Sequence, residues 1–412
     1  MLRYFVAGCV AGAYVLTGDQ QTYLHMWGNG LYKPRLGYPN DIMNFENFTP
    51  KLIKNFSEPS SPQLTKLTIG SRFEAGIDAN GQVHIWNKHI INSVQLEGVD
   101  DEERTVRKLE FPEKAVDLKF VEKILFALDA KGNVWQWRFD SEEEAKVRKI
   151  PSLSKIKKIS SGNGHFVALD GEGQVWTMGD DTYGQCGLDS MSRQIIPPFL
   201  QIKYPNPLKV NLLPDRVKDV ACGKFHTLAL LENGEVWGWG RNHKHQLADI
   251  DDKSGKAPAG VSFVPTKING LTGKNVVKVV AGDMFSIFIT DNLGDTEVYG
   301  CGLNSRGQLG LGYLTHVTDV MKMQNISNFV YKDPKTFEIR PVGIKDLQCG
   351  AEHCMALMDV GVVYSWGSNE YGEQANKKRI IQDRPALLKR YKGKKIQAIA
   401  VGERSSAVIW KE

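Results

Sequence analysis

Val220-Ala-Cys-Gly223-Lys-Phe-His226-Thr-Leu-Ala-Leu230, followed by Gly234-Glu-Val-Trp237-Gly-Trp239-Gly240, decides how this chain folds, because the same phrase recurs along it. It reads as an apolar strand, a Gly, an aromatic residue or His three places on, a second apolar strand, a Gly turn and then Val-Trp-x-Trp-Gly. A second clear copy is Ile159-Ser-Ser-Gly162-Asn-Gly-His165-Phe-Val-Ala-Leu169 with Gly173-Gln-Val-Trp176-Thr-Met-Gly179. Self-similarity at a spacing of roughly fifty to seventy residues marks a repeat architecture.

The Gly that ends the first strand falls at Gly70, Gly162, Gly223, Gly282, Gly350 and Gly402. A degenerate copy around Lys119 keeps only its later half, Phe126-Ala-Leu-Asp-Ala-Lys-Gly132-Asn-Val-Trp135-Gln-Trp137. The last copy, Ile399-Ala-Val-Gly402-Glu-Arg-Ser405, runs out before its Val-Trp strand, and the missing half sits at the other end as Thr22-Tyr-Leu-His-Met-Trp27-Gly28. A linear stack gains nothing from that division, whereas a ring must join its first and last units. The expectation is an all-β, seven-bladed β-propeller of four-stranded blades over 20–412, closed by a blade shared between the termini. Trp27, Trp86, Trp135, Trp137, Trp176, Trp237, Trp239 and Trp366 fall on one strand of their repeats and read as core. The glycines supply positive φ or close backbone approach.

With Gly-x-x-His-x-x-Ala-Leu, Gly-x-Val-Trp-x-Trp-Gly-x-Asn and an elbow seen as Gly307-Gln-Leu-Gly310, Gly184-Gln-Cys-Gly187 and Tyr371-Gly-Glu-Gln374, the chain resembles the regulator of chromosome condensation repeat family. Pro50, Pro207, Pro265 and Pro385 stand where the family has a Pro before a repeat's first strand. The resemblance implies the seven-bladed ring. It leaves function open, because members of that family include exchange factors for small GTPases, scaffolds, ubiquitin-ligase adaptors, a photoreceptor and mitochondrial proteins. The photoreceptor needs Trp after the repeat Gly, where this chain has Ser71, Asn163, Lys224, Asp283, Ala351 and Glu403. Chromatin docking uses a basic tail, and here Arg3 is the one base before Lys33.

A net charge of +5, from 52 basic and 47 acidic residues, does not demand nucleic acid as a partner. Basic clusters such as Lys377-Lys-Arg379 and Arg390-Tyr-Lys-Gly-Lys-Lys395 read as solvated loops. The 6 cysteines show no framework spacing and read as free thiols in a reducing compartment.

Leu2 to Leu16 is the one long apolar run, shorter than the ~20 residues a spanning helix needs. Residues 1–19 are therefore expected to form a short apolar helix and candidate membrane anchor, with Tyr4, Phe5, Gly8, Gly12 and Val15 as its packing residues and Gly8-x-x-x-Gly12 as a close-approach motif. A cleavable signal peptide and a presequence are the competing readings.

His165, His226 and His353 recur at one slot of separate blades, which predicts hydrogen bonding within each blade rather than a shared metal. Gly270-Leu-Thr-Gly273-Lys274-Asn275 lacks the phosphate-loop spacing, and no Gly-x-Ser-x-Gly or His-Glu-x-x-His is present. No catalytic, metal or cofactor residues are nominated. Recognition is expected in the insertions 87–111, 138–155, 188–213 and 311–340, since loops on a rigid scaffold carry function. Met321, Met323, Phe329, Tyr331 and Phe337 make the last of these the candidate docking loop. The resulting expectation is a non-catalytic scaffold tethered to a membrane, an accessory subunit among other protein subunits of a larger assembly, at the mitochondrial inner membrane. A nucleotide exchange factor for a small GTPase is the alternative.

Overall fold

Two-residue alternation with Gly turns makes each repeat a meander of short antiparallel strands, and blade 4 shows the pattern. Val217–Cys222, His226–Leu231, Val236–Arg241 and Val261–Lys267 pair in that order from the inside outward. The computed structural model describes residues 22–28, 51–52, 56, 61–70, 73–86, 106–138, 146–189, 203–248, 250, 260–292, 295–323, 330–332, 339–376 and 380–411. Among these, the strands form seven four-stranded sheets and one two-stranded hairpin, a seven-bladed all-β propeller. The blades begin at Leu64, Ala115, Ile156, Val217, Val276, Ile344 and Lys395, and are numbered 1 to 7 in that order.

Blade 7 is the composite one. Its inner strands Lys395–Val401 and Ser405–Lys411 come from the chain's end, and Thr22–Gly28 and Lys51–Leu52 from its beginning. The joint runs in unbroken register from Thr22 opposite Lys411 to Gly28 opposite Ser405. Around the ring, first strand touches first strand in every successive pair, including Lys395–Val401 against Leu64–Ile69.

The core lies between blades rather than within them. Seven buried apolar clusters fill the seven seams. At one, Val167, Leu169 and Val175 of blade 3 pack on Val220, Ala229 and Trp239 of blade 4. Blade 7 is held on both sides, Trp27 and Trp410 clustering with Met355 and Val363, and Leu24 and Met26 with Leu64 and Trp86. Burying a large apolar side chain contributes about 1.5–3 kcal/mol, so each wedge makes its seam a principal source of stability.

Some expectations change here. The degenerate second repeat is a complete blade: Ala115–Val121 turns back through Glu122 and Lys123, with Glu122 at φ 47°, and Gly is not needed at that tight hairpin. The four insertions contain the outermost strands of their own blades, Val106–Leu109, Arg148–Lys149, Lys203–Lys209 and Val317–Lys322. Edge strands lack a strand on one side and so lose clean alternation, which hid them. The tryptophans divide: Trp27, Trp86, Trp137, Trp239 and Trp366 are fully buried, whereas Trp135, Trp176 and Trp237 are half-buried. These three donate their indole N–H to Asp129, Asp170 and Glu235 at their own blade's turn.

The apolar segment 1–19, with Tyr4, Phe5, Gly8, Gly12 and Val15, lies outside the described residues. Among the described residues no helix is long and apolar enough to cross a membrane.

Candidate functional site

The repeated His does not serve its own blade. His165 Nε2 lies 3.0 Å from Thr227 Oγ1 of the next blade, His226 Nε2 3.0 Å from Ser286 Oγ, and His353 Nε2 2.9 Å from Ser406 Oγ. Each hydroxyl donates its proton onward, to Gln185 O, Gln246 O and Glu373 O at 2.9, 2.6 and 3.2 Å. The imidazoles must therefore donate through Nε2–H, and their buried Nδ1 atoms have no hydrogen-bond partner. Burial holds His165 and His353 down to about 4, and burial with His165 nearby takes His226 to about 3. The same elbow carbonyls accept the indole N–H of the next blade's buried Trp, at 2.9 Å from Trp239 to Gln185 O and 2.7 Å from Trp27 to Glu373 O. The expected bond within each blade is thus corrected to a latch between blades.

That latch explains the repeat Gly. A Cβ on Gly223 would land on the carbonyl of Gly282 in the next blade and on the ring of His226. Gly234, at φ +84°, instead makes the turn between the second and third strands.

In all seven blades the first strand carries a bulge near its start, after the first residue in blades 1 to 6 and after the second, Ile396, in blade 7. Bulges re-aim side chains. The residue beyond it is Lys66, Asp117, Lys158, Asp219, Lys278, Asp346 and Ala398 from blade 1 to blade 7. Charge alternates through six blades and stops at the composite one. Lys66 pairs with Asp117 at 2.8 Å, Lys158 with Asp219, and Lys278 with Asp346 at 2.9 Å, each across a seam. The inner wall is therefore largely self-neutralised.

The elbow face has chain-specific seams. Arg241 stacks over Tyr183 at 5.0 Å and Phe225 at 5.7 Å, Arg404 lies 4.7 Å over Tyr371, and Arg306 reaches Glu352 at 3.8 Å. Burial, with Glu403 and Glu352 adding to it against the pull of Lys224, raises the Asp283 carboxyl to about 6.

The cysteine expectation needs correction. Cys349 and Cys354 are cross-strand neighbours joined as a disulfide, while Cys186, Cys222 and Cys301 are free. Burial pushes Cys222 up to about 11 and Cys301 to about 12, which leaves those thiols protonated and unreactive.

The blade-5 arm divides the candidate docking residues. Met321 is 45% exposed, whereas Met323 is fully buried among Leu309, Val298 and Trp366 and belongs to the core. Val330–Lys332 and Ile339–Pro341 pair as a hairpin separate from the blades, which places Tyr331 on a strand. Phe329 and Phe337 lie outside the described residues. Tyr313 and Leu314, 40% and 45% exposed, were not singled out in the sequence, although Leu311-Gly-Tyr-Leu314 directly follows the elbow Gly310. Tyr313 OH is 3.6 Å from Met321 Sδ, so these two side chains form one exposed patch, with Leu314 next to Tyr313 in the chain.

The sequence pattern that defines the RCC1-like domain matches residues 138–412, more than half of the chain. The chain belongs to the RCC1-like domain family. This RCC1-like propeller is 30% identical over 301 residues to the human E3 ubiquitin-protein ligase HERC2, covering 69% of the chain and 6% of the ligase. It is 26% identical over 294 residues to the RCC1 domain-containing mitochondrial protein RUG3 of Arabidopsis thaliana, covering 68% of the chain and 60% of that protein. In three dimensions it is similar to Prp20p of Saccharomyces cerevisiae, with a TM-score of 0.69 and 22% identity over 95% of this chain and 92% of that one. The RCC1-like propeller thus spans only part of those curated relatives.

Proposed function

We propose that this RCC1-like propeller is a non-catalytic scaffold, an accessory subunit of a membrane-bound assembly, with the mitochondrial inner membrane as its location. The observation that carries the reading is the loop after the blade-5 elbow: among the described residues Tyr313, Leu314 and Met321 expose three large apolar side chains in one blade, where Leu52, Leu212 and Ile380 are exposed one to a blade, while the repeated His, Trp and Gln or Glu residues are committed to seams. Exposed apolar patches on a polar surface mark protein contacts. The mitochondrial part is supported by the likeness to RUG3 and by the apolar segment Leu2 to Leu16. Mild detergent extraction followed by native separation tests it. The full chain should migrate with a large complex, and a Tyr313→Ser, Leu314→Ser, Met321→Ser variant should run free; a free monomer in both cases overturns the reading.

Nucleotide exchange on a small GTPase is the second reading, supported by the shared fold with Prp20p, a protein characterised for binding Gsp1p and histones. Acceleration of nucleotide release from a small GTPase by the full chain would favour it over scaffolding.

A further inference from the structure

The seam between blades 5 and 6 departs from the latch its neighbours share, and it does so at two matched positions. In blades 4, 5 and 7 the residue that donates to the elbow carbonyl of the preceding blade is Thr227, Ser286 or Ser406. In blade 6 that slot holds Cys354, with Sγ 3.7 Å from Gln308 O. The latch His of the preceding blade is replaced as well: Phe285 stands in its place, buried in the same cluster as Cys354. An imidazole N–H needs a hydroxyl to accept it, whereas a phenyl ring packs against sulfur as against any small apolar group. This seam is therefore built around a cysteine.

The residue opposite the latch slot on the first strand is Cys222, Ala281 and Val401 in blades 4, 5 and 7, and Cys349 in blade 6. Among these blades, blade 6 alone has Cys at both places, and there the two sulfurs are joined. A disulfide sulfur carries no proton. Oxidised, Cys354 crosslinks its own blade and donates nothing to Gln308 O; among the described residues that carbonyl keeps the Trp366 indole N–H, at 2.8 Å. Reduced, its S–H donates to Gln308 O as the hydroxyls do in the other seams.

Gln308 also begins a path to the surface. Leu309 N–H donates to Oδ1 of the buried Asn304 at 2.9 Å, and Asn304 Nδ2–H donates to Tyr313 O at 2.8 Å. Tyr313 belongs to the exposed apolar patch of blade 5.

We propose that Cys349 and Cys354 form a thiol–disulfide exchange site, whose reduction replaces a crosslink inside blade 6 with a hydrogen bond to the blade-5 elbow and thereby fixes Tyr313 and Leu314 for docking. The effect on docking rests on the scaffold reading of that patch; the exchange of bonds does not. The reductant is a dithiol. Its thiolate attacks Sγ of Cys349, which is half-buried on the innermost strand, whereas Cys354 is fully buried. The bond between the two cysteines breaks, a mixed disulfide forms on Cys349, and Cys354 leaves as a thiolate that takes up a proton in its apolar site. The dithiol's second sulfur then displaces Cys349, so that two electrons and two protons pass from the dithiol to the pair.

Hydrogen exchange of the full chain, oxidised and after dithiothreitol, tests this beside Cys354→Ser and Cys354→Ala. Reduction should raise exchange at 350–353, where the crosslink is lost, and lower it about two- to fivefold at the elbow, 306–310, where one S–H bond is gained. Cys354→Ser should match the reduced parent at both segments. Cys354→Ala, nearly the same size but without a donor, should raise exchange at both. A rise at both segments on reduction, or equal elbow exchange in the Ser and Ala variants, overturns the exchange site. Should the Ala variant fail to fold, the opposite signs in the parent chain decide alone. Native separation after mild detergent extraction reads the docking: the reduced form should carry the larger fraction in a complex. An equal fraction in both forms overturns the control of docking. Opposite exchange shifts with a free monomer in both forms support the site and sink the scaffold reading; equal complex formation without an elbow shift sinks the site and leaves that reading standing.

Discussion

Lys278 Nζ lies 2.9 Å from Asp346 Oδ1 across the seam between blades 5 and 6, and the two residues hold the same position in their blades. Six such positions alternate Lys and Asp around the axis, and seven blades make strict alternation impossible. Ala398 in the composite blade removes the like-charge contact that an odd ring would otherwise require. Both partners are about a third exposed, so solvent screens the pair. Lys278→Asp and Asp346→Lys should each cost about 1 kcal/mol, and the double exchange should recover most of it. A double-mutant cycle by denaturant unfolding reads the coupling; additive losses would remove the pairing.

The latch histidines predict acid sensitivity. Their folded values, about 3 to 4, lie below the unfolded value near 6.5. The unfolded chain thus takes up protons first, and stability present at neutral pH is lost as pH falls from about 6.5 toward 4. Unfolding midpoints measured across that window should decline, and His226→Gln should flatten the slope.

Gly223→Ala forces a methyl onto the Gly282 carbonyl and the His226 ring. Neither backbone nor a bonded imidazole can move cheaply, so the substitution should destabilise by about 1–3 kcal/mol. Gly273, with open space around its missing Cβ, tests turn strain alone, because its φ of +75° still disfavours Ala. Thermal midpoints of the two variants compare crowding with backbone strain.

The disulfide encloses Gly350 to His353, and this loop serves both neighbouring blades. Gly350 O accepts from Asp283 N, Glu352 meets Arg306, Ala351 N donates to Glu403 O, and His353 reaches Ser406. Reduction should lower the thermal midpoint, by about 2 kcal/mol of stability for so short a loop, and raise hydrogen exchange at 350–353. Cys354→Ser should make the protein indifferent to reductant. Ser suits the site because blades 5 and 7 have Ser286 and Ser406 in that slot.

Replacing Tyr313, Leu314 and Met321 by Ser should leave stability within about 0.5 kcal/mol per site, since surface changes of this kind perturb folding little. Loss of association at unchanged thermal midpoint is the expected result.

Much of the ring was legible because the repeat Gly, the His three places on and the Val-Trp-x-Trp strand keep fixed spacing. The alternating belt stands in the sequence four residues before the repeat Gly, at Lys66, Lys158, Asp219, Lys278 and Asp346, but was not read there, because it carries meaning only once the bulge turns those side chains inward. The fourth strands were not legible: Val317–Lys322 is mostly exposed and Lys203–Lys209 contains Pro205 and Pro207, which only an edge strand tolerates. Nor could spacing separate Met321, on the surface, from Met323, in the core: two places apart they share a face by alternation, and only Met323, just past the strand's end, reaches the seam packing of Leu309 and Trp366.

The sequence by itself determined the number of blades, the split blade and the family, because local alternation and repeat period depend on neighbours along the chain. Tertiary structure alone decided that His165, His226 and His353 latch the following blade, that Cys349 meets Cys354, and that the chain enters the ring beside Lys395. Those contacts join residues that only ring closure and strand register bring together, and no periodicity encodes them.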